Sequence, residues 1–209
     1  MIKSISYNEQ VIIRGILDLH CACPIELDPT YSKGNFYKDG VATPRLKFDL
    51  FPQRDDVVQA NAEHLPLEDE SITTMMFDPP FLATRGDSLF KTDRSNKMVK
   101  RFGSYPTEVE LFQFYKNALT EFYRILKKYG ILIVKIQDKV SSGKQYMSHI
   151  FMVNEAEKLG FYCKDMFILL SKHRMVPKWQ LVNQKNARKF HCYFLVFEKS
   201  GKKIKYTEG

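Results

Sequence analysis

The apolar run Ile72-Thr73-Thr74-Met75-Met76-Phe77 leads straight into Asp78-Pro79-Pro80-Phe81. A short run of this composition, bounded by turn residues, reads as a buried strand. The strand has to stop at Asp78, because proline lacks an N–H and fixes φ, so neither Pro79 nor Pro80 continues a ladder. Next comes a helix-period segment over Thr107–Lys128. Thr107-x-x-Glu110 forms a capping box, and Leu111, Phe114, Tyr115, Ala118, Phe122, Ile125 and Leu126 share one face. Lys127-Lys128 suit the C-terminal dipole, with Gly130 in the C′ position. A further apolar run, Ile131–Asp138, completes a strand–helix–strand unit. The same grammar predicts strands at Pro24–Asp28, Leu46–Leu50, Asp56–Asn61, Phe161–Leu170 and Cys192–Lys199. It predicts helices at Asn8–Leu19 and at Tyr146–Leu159, the latter stopped by Gly160. The alternation gives an α/β fold with an open, mostly parallel, Rossmann-like sheet of seven strands.

In such a sheet ligands bind outside the carboxyl ends of the strands. Asp28, Asp49, Asn61, Asp78 and Asp138 all stand at predicted strand ends and so face one crevice. At 209 residues the chain is expected to be a single domain over residues 1–209. The net charge of +8 is concentrated in two loop-like stretches: 82–106 carries +4 and 171–191 carries +6, leaving −2 for the rest. Focused positive charge of this kind is the footprint of a phosphate-bearing partner. No run approaches the roughly 20 apolar residues of a bilayer span, and the first residues lack a signal-peptide pattern. Cys21, Cys23, Cys163 and Cys192 lack paired C-x-x-C spacing, so no metal site and a reduced, cytoplasmic location are expected.

The acid at the strand end has a chemical reading of its own. A carboxylate and a neighbouring proline-flanked carbonyl are both acceptors, and together they suit an amine with two protons; the aromatic ring of Phe81 can stack on a planar base. Asp78-Pro79-Pro80-Phe81 resembles the catalytic motif of the S-adenosylmethionine (SAM)-dependent amino-methyltransferases, which methylate exocyclic amines of nucleic-acid bases. The resemblance spans about residues 24–198. It implies the class I methyltransferase fold with an antiparallel last strand, SAM as cofactor, and catalysis by Asp78, Pro79, Pro80 and Phe81.

The resemblance extends to the cofactor side. Leu27-Asp28-Pro29-Thr30-Tyr31-Ser32-Lys33-Gly34-Asn35-Phe36 is similar to the family's loop Asp-Pro-x-Cys-Gly-Ser-Gly-x-Phe. Asp28, Pro29, Thr30, Gly34 and Phe36 match, Tyr31 replaces the cysteine, and Ser32 stands where glycine would take positive φ freely. The family pattern places Asp49 at the ribose hydroxyls and Asn61 at the adenine amine, with the connector Ala62–Leu67, including Ala62 and Leu65, over the adenine ring. His64 reads as a loop residue. Lys135, Gln137 and Asp138 are implied to line the target pocket, and Lys135, a lysine in a buried strand, alternatively pairs with a carboxylate. Nucleic-acid contacts are expected of Arg85, Lys100 and Arg101 in the first basic stretch and of Arg188 and Lys189 in the second; Trp179, in the second, either stacks on a base or anchors the loop.

The order, cofactor loop before catalytic motif, resembles the γ-type arrangement. Residues 82–106 and 171–191 are then the substrate-facing loops. With no separate target-recognition domain, short specificity or a partner subunit is expected. Adenine N6 in DNA is the first substrate reading. Two others stay open: an RNA base methyltransferase (guanine N2 or adenine N6), and a non-catalytic SAM-fold subunit that binds nucleic acid.

Overall fold

The computed structural model describes residues 1–81, 83, 105–172, 184–201 and 206. Its centre is an eight-stranded sheet. The strands are β1 (Ile5–Ser6), β2 (Leu27–Asp28), β3 (Leu46–Asp49), β4 (Val58–Gln59), β5 (Ile72–Phe77), β6 (Leu126–Ile136), β9 (Phe161–Leu170) and β10 (His191–Lys199), in the spatial order β1-β9-β10-β6-β5-β2-β3-β4. Only β10 runs against its neighbours β6 and β9; the other pairings are parallel. This is the expected mostly parallel sheet with an antiparallel last strand. It is extended by the two-residue edge strand β1, which the sequence reading left outside the sheet.

Among the described residues, three helices cover the two faces. Helix α1 (Glu9–His20) starts where Asn8 accepts from the Val11 N–H and buries Ile12, Ile13 and Ile16. Helix α2 (Glu108–Ile125) begins with the reciprocal Thr107–Glu110 capping box. Helix α3 (Ser148–Leu159) ends at Gly160 in the left-handed region. Pleat alternation sorts the core into two layers. Met76, Ile131, Ile133, Phe194 and Val196 face α1, whereas Phe77, Leu132, Val134, Leu195 and Phe197 face α2 and α3.

Several boundaries differ from the expected ones. Helix α2 stops at Ile125, not Lys128, and Tyr129 (φ 65°) takes the left-handed conformation assigned to Gly130. The reason lies in β6: Ile72 pairs with Leu126 but Thr74 already pairs with Ile131, so residues 127–130 bulge out of the ladder. Glycine is needed at 130 because a Cβ would sit 2.9 Å from the Lys127 carbonyl oxygen and 3.1 Å from that of Thr73. Strands β2 and β4 are shorter than expected. A hairpin, β7 (Lys139–Ser141) and β8 (Lys144–Tyr146), precedes α3. Its two-residue turn, Ser142-Gly143, has positive φ at both positions (52° and 78°), which suits the twist of paired strands.

The four cysteines are free thiols, and Cys23 Sγ lies 3.4 Å from Thr74 Oγ1. No described helix is long and apolar enough to cross a membrane.

Candidate active site

The strand order reverses between β2 and β5, and the chain ends of β2, β3 and β5 open there into a cleft of about 410 Å³, counting its solvent-open part. Its lining brings together Pro29, Thr30, Asp49, Ala62, Asp78 and Pro80 from the expected site, with Leu50, Tyr105 and Phe114 added. The expected cofactor loop and the expected catalytic motif therefore share one cavity.

Thr30 joins them. Its hydroxyl accepts from the Asp78 N–H at 2.9 Å and donates to Asp28 Oδ1 at 3.2 Å, while its own N–H donates to the same oxygen at 2.8 Å. Asp28 is fully buried beneath the loop, and Tyr37 Oη donates to its other oxygen at 2.6 Å. Burial pushes the Asp28 carboxyl up to about 7; the Tyr37 and Thr30 hydrogen bonds oppose the rise, and the nearby Asp78 charge adds to it.

A carboxyl raised in the fold makes stability depend on pH. The folded protein keeps a proton that the unfolded chain releases near pH 4, so stability falls as pH rises through about 7. Between pH 5 and 8 wild type is expected to lose on the order of 3 kcal/mol from this group. Asp28→Asn should lack that loss, which urea unfolding midpoints across the same range will show. Parallel curves for the two proteins would contradict the assignment.

The cofactor loop is built of turns over 29–40, with no helix in Gly34–Arg45. Ser32 adopts φ 50°, the conformation that glycine takes without cost, and its N–H donates to Asp49 Oδ2 at 2.7 Å. Asp49 Oδ1 accepts from the Phe51 N–H at 2.8 Å. A carboxylate can accept more than one hydrogen bond at each oxygen, which is what a pair of diol hydroxyls would require. Tyr31 and Gly34 lie behind the lining: Tyr31 stacks on Tyr37 with centroids 5.3 Å apart, and a Cβ on Gly34 would fall 2.4 Å from Tyr31 Oη.

The connector after β4 is pinned from α2. Leu65 donates to Glu121 Oε1 at 2.7 Å, and Arg124 donates to the carbonyls of Leu65 and Leu67. Asn61 Oδ1 accepts from the Glu63 N–H at 3.0 Å, and its amide donates to the Glu63 carboxylate. Leu65 is buried, and His64 is an exposed loop residue.

At the catalytic motif, Tyr115 Oη donates to the Pro80 carbonyl at 2.6 Å. Tyr105 stacks on Phe114 with centroids 4.9 Å apart, forming an aromatic wall to the cleft. Phe81 packs against the core edge and is half-buried. Tyr37, Tyr105 and Tyr115 belong to the site without a sequence signal that marks them; Tyr115 shares the helix face with the core positions. Their roles depend on partners from distant segments.

The remaining expected residues separate into four groups. Gln137 and Asp138 are used within the protein: Gln137 donates to the His191 carbonyl at 2.7 Å, and Asp138 Oδ1 lies 2.7 Å from His149 Nδ1. Lys135 is turned into a mostly buried ion pair with Glu9 and does not line the cleft. Arg188 and Lys189 are half-buried just before β10, at the same end of the sheet as Asp78. Arg85, Lys100, Arg101 and Trp179 lie outside the described residues.

No protein-family model matches the chain, and no curated protein matches it in sequence. Solved structures do match. A SAM-dependent methyltransferase from Thermotoga maritima aligns at TM-score 0.52 and 18% identity, over 92% of this chain and 87% of that one. A protein of Galdieria sulphuraria, provisionally named a sarcosine dimethylglycine methyltransferase, aligns at TM-score 0.54 and 10% identity, over 92% and 85%. The PvuII DNA methyltransferase, cytosine-N4-specific, aligns at TM-score 0.49 and 16% identity, over 68% and 48%. The chain spans about half the length of the DNA methylases it matches. The fold is that of the class I SAM-dependent methyltransferases.

Proposed function

We propose that this chain is a SAM-dependent methyltransferase acting on an exocyclic base amine of nucleic acid, with adenine N6 in DNA as the target. One observation supports it above the rest: Thr30 hydrogen-bonds both Asp28 of the loop and Asp78 of the motif, at the mouth of a cleft that also holds Asp49. The residues fit the cofactor. A nucleoside needs an apolar slot and a diol acceptor, and the cleft supplies Leu50, Ala62 and Phe114 for the first and Asp49 for the second. SAM, when bound, supplies an electrophilic methyl group.

The work of the protein is then on the nucleophile. An exocyclic amine is a weak one, because its lone pair is delocalised into the ring. Asp78 accepts a hydrogen bond from one amine proton and the Pro79 carbonyl accepts from the other, which favours a tetrahedral nitrogen. The Pro80 carbonyl is committed to Tyr115, which stiffens the turn on which both acceptors stand. Acceleration comes from orientation and from acceptors set in place before the reaction. Phe81 stacks on a base swung out of its helix.

Arg188 and Lys189 contact phosphate. The double variant Arg188→Ala/Lys189→Ala is expected to weaken nucleic-acid binding and reduce the slope of log K against log salt by about 1–2. An unchanged slope would exclude phosphate contact at these residues. The function itself is tested by methyl transfer from radiolabelled SAM to duplex DNA, single-stranded DNA and structured RNA. Label in DNA supports the reading. Label in RNA alone would replace DNA as the substrate and keep the chemistry. SAM binding with no transfer to any pool would favour a non-catalytic subunit or a missing partner.

A further inference from the structure

We propose that Lys135 is a positioning residue that keeps Asp78 in its carboxylate form at the head of the Asp-Pro-Pro-Phe turn. This rests on the methyl-transfer reading, in which Asp78 must act as an acceptor toward the base amine.

The geometry begins with the pleat. Met76 on β5 and Ile131 and Ile133 on β6 belong to the layer that faces α1. Two residues further along each strand stand Asp78 and Lys135, on the same side. The ladder ends with Phe77 opposite Val134, so Asp78 and Lys135 are the residues that follow on the two adjacent chains, whose strands run about 4.8 Å apart. The lysine does not reach for solvent. Its side chain is 16% exposed, its ammonium pairs with Glu9 of α1, and it sits 4.9 Å from the centroid of Phe36 and 5.9 Å from that of Phe194. A buried ammonium is costly unless carboxylates compensate it.

Among the described residues, the groups around this point come from several elements. Asp28 approaches from β2 and Tyr37 from the loop after it, Glu9 from α1, Tyr115 from α2, and Cys192 from β10. Two carboxyls, Asp78 and Glu9, thus act on one cation. Burial works against the charge of Lys135, yet Asp78 and Glu9 outweigh it and hold the amine protonated. The converse follows from the same interaction: Lys135 favours the ionised form of Asp78. An ionised carboxylate is acceptor-only, whereas a protonated one presents a donor toward the amine it should accept from. Lys135 therefore acts through Asp78 and does not touch the substrate.

Two substitutions move the system in opposite directions. Lys135→Met removes the cation while filling the space between Phe36 and Phe194, and should shift the acidic limb of kcat/KM upward by about 1 pH unit or more. Glu9→Gln keeps the packing, removes a competing anion, and should shift the limb downward. Lys135→Arg should restore the wild-type limb. The direct readout is NMR of the ¹³Cγ-labelled Asp78 carboxyl, assigned by its loss in Asp78→Ala, titrated in wild type, Lys135→Met and Glu9→Gln. Midpoints moving up and down respectively support the proposal. Identical midpoints, or a kcat/KM that falls equally at all pH values, would overturn it. If Lys135→Met fails to fold, the Glu9→Gln titration still decides. If wild type transfers no methyl group, the methyl-transfer reading fails, and the NMR midpoints still report whether Lys135 and Asp78 are coupled.

Discussion

Asp78→Ala is expected to lower methyl transfer by about 10³-fold while leaving SAM affinity within a few-fold. The size follows from losing a preorganised acceptor at the point where charge develops, which costs about 10²–10³ in comparable sites. It falls at the upper end because the adjacent Pro79 carbonyl satisfies only one amine proton. Affinity should survive because the loop and the Asp49 acceptor, held by Ser32 and Phe51, are built independently of the Asp78 side chain. Only the Asp78 N–H, not its carboxylate, bonds to Thr30, so the link between loop and motif also remains. Calorimetric titration of SAM beside single-turnover transfer separates the two effects. A large loss of SAM affinity would show that Asp78 belongs to the cofactor site instead.

Gly34→Ala should have a large structural effect, because it makes the shortest contact of any described glycine. Gly34 has φ 71°, and its new Cβ would meet Tyr31 Oη at 2.4 Å and Cζ at 2.5 Å. Tyr31 cannot yield freely, since it is buried and stacked on Tyr37, whose hydroxyl holds Asp28. The left-handed backbone costs about 1–2 kcal/mol and overpacking a further 1–3. For a domain of this size the sum lowers Tm by roughly 5–15 °C. Displacing Tyr31 also shifts the loop that carries Thr30, so SAM affinity should fall at least about tenfold, as a pocket loses its preorganisation. Gly143→Ala is the internal control. It shares positive φ (78°) but meets nothing within 4 Å, so only the backbone cost should appear. Equal losses in the two variants would mean that contact with Tyr31 is unimportant.

What could be read from the chain depended on the range of the interaction. The capping box at Thr107, the αL stop at Gly160 and the acid-to-proline end of β5 are local events, and the structure has them where the sequence put them. The substitution at Ser32 was legible too: the loop demands positive φ there, and serine supplies it. The end of α2 was misjudged because Gly130 was read as a helix stop, whereas its space is set by Thr73 on a neighbouring strand. Lys135 shows the limit most clearly. A cation in a buried strand reads either as a pocket residue or as half of an ion pair; its partner Glu9 is 126 residues away, so the sequence could not name it. Tyr115 and Tyr37 follow the same logic, with partners 35 and 9 residues distant on other elements.

The central claim is that this cleft transfers a methyl group to a base amine in nucleic acid. The measurement that tests it most directly is nucleoside mass spectrometry of host DNA and RNA after expression of wild type and of Asp78→Ala. N6-methyladenine in DNA, present with wild type and absent with the variant, is the expected result. A mark of equal abundance with both proteins, or no new mark in either pool from wild type that binds SAM, would contradict the account.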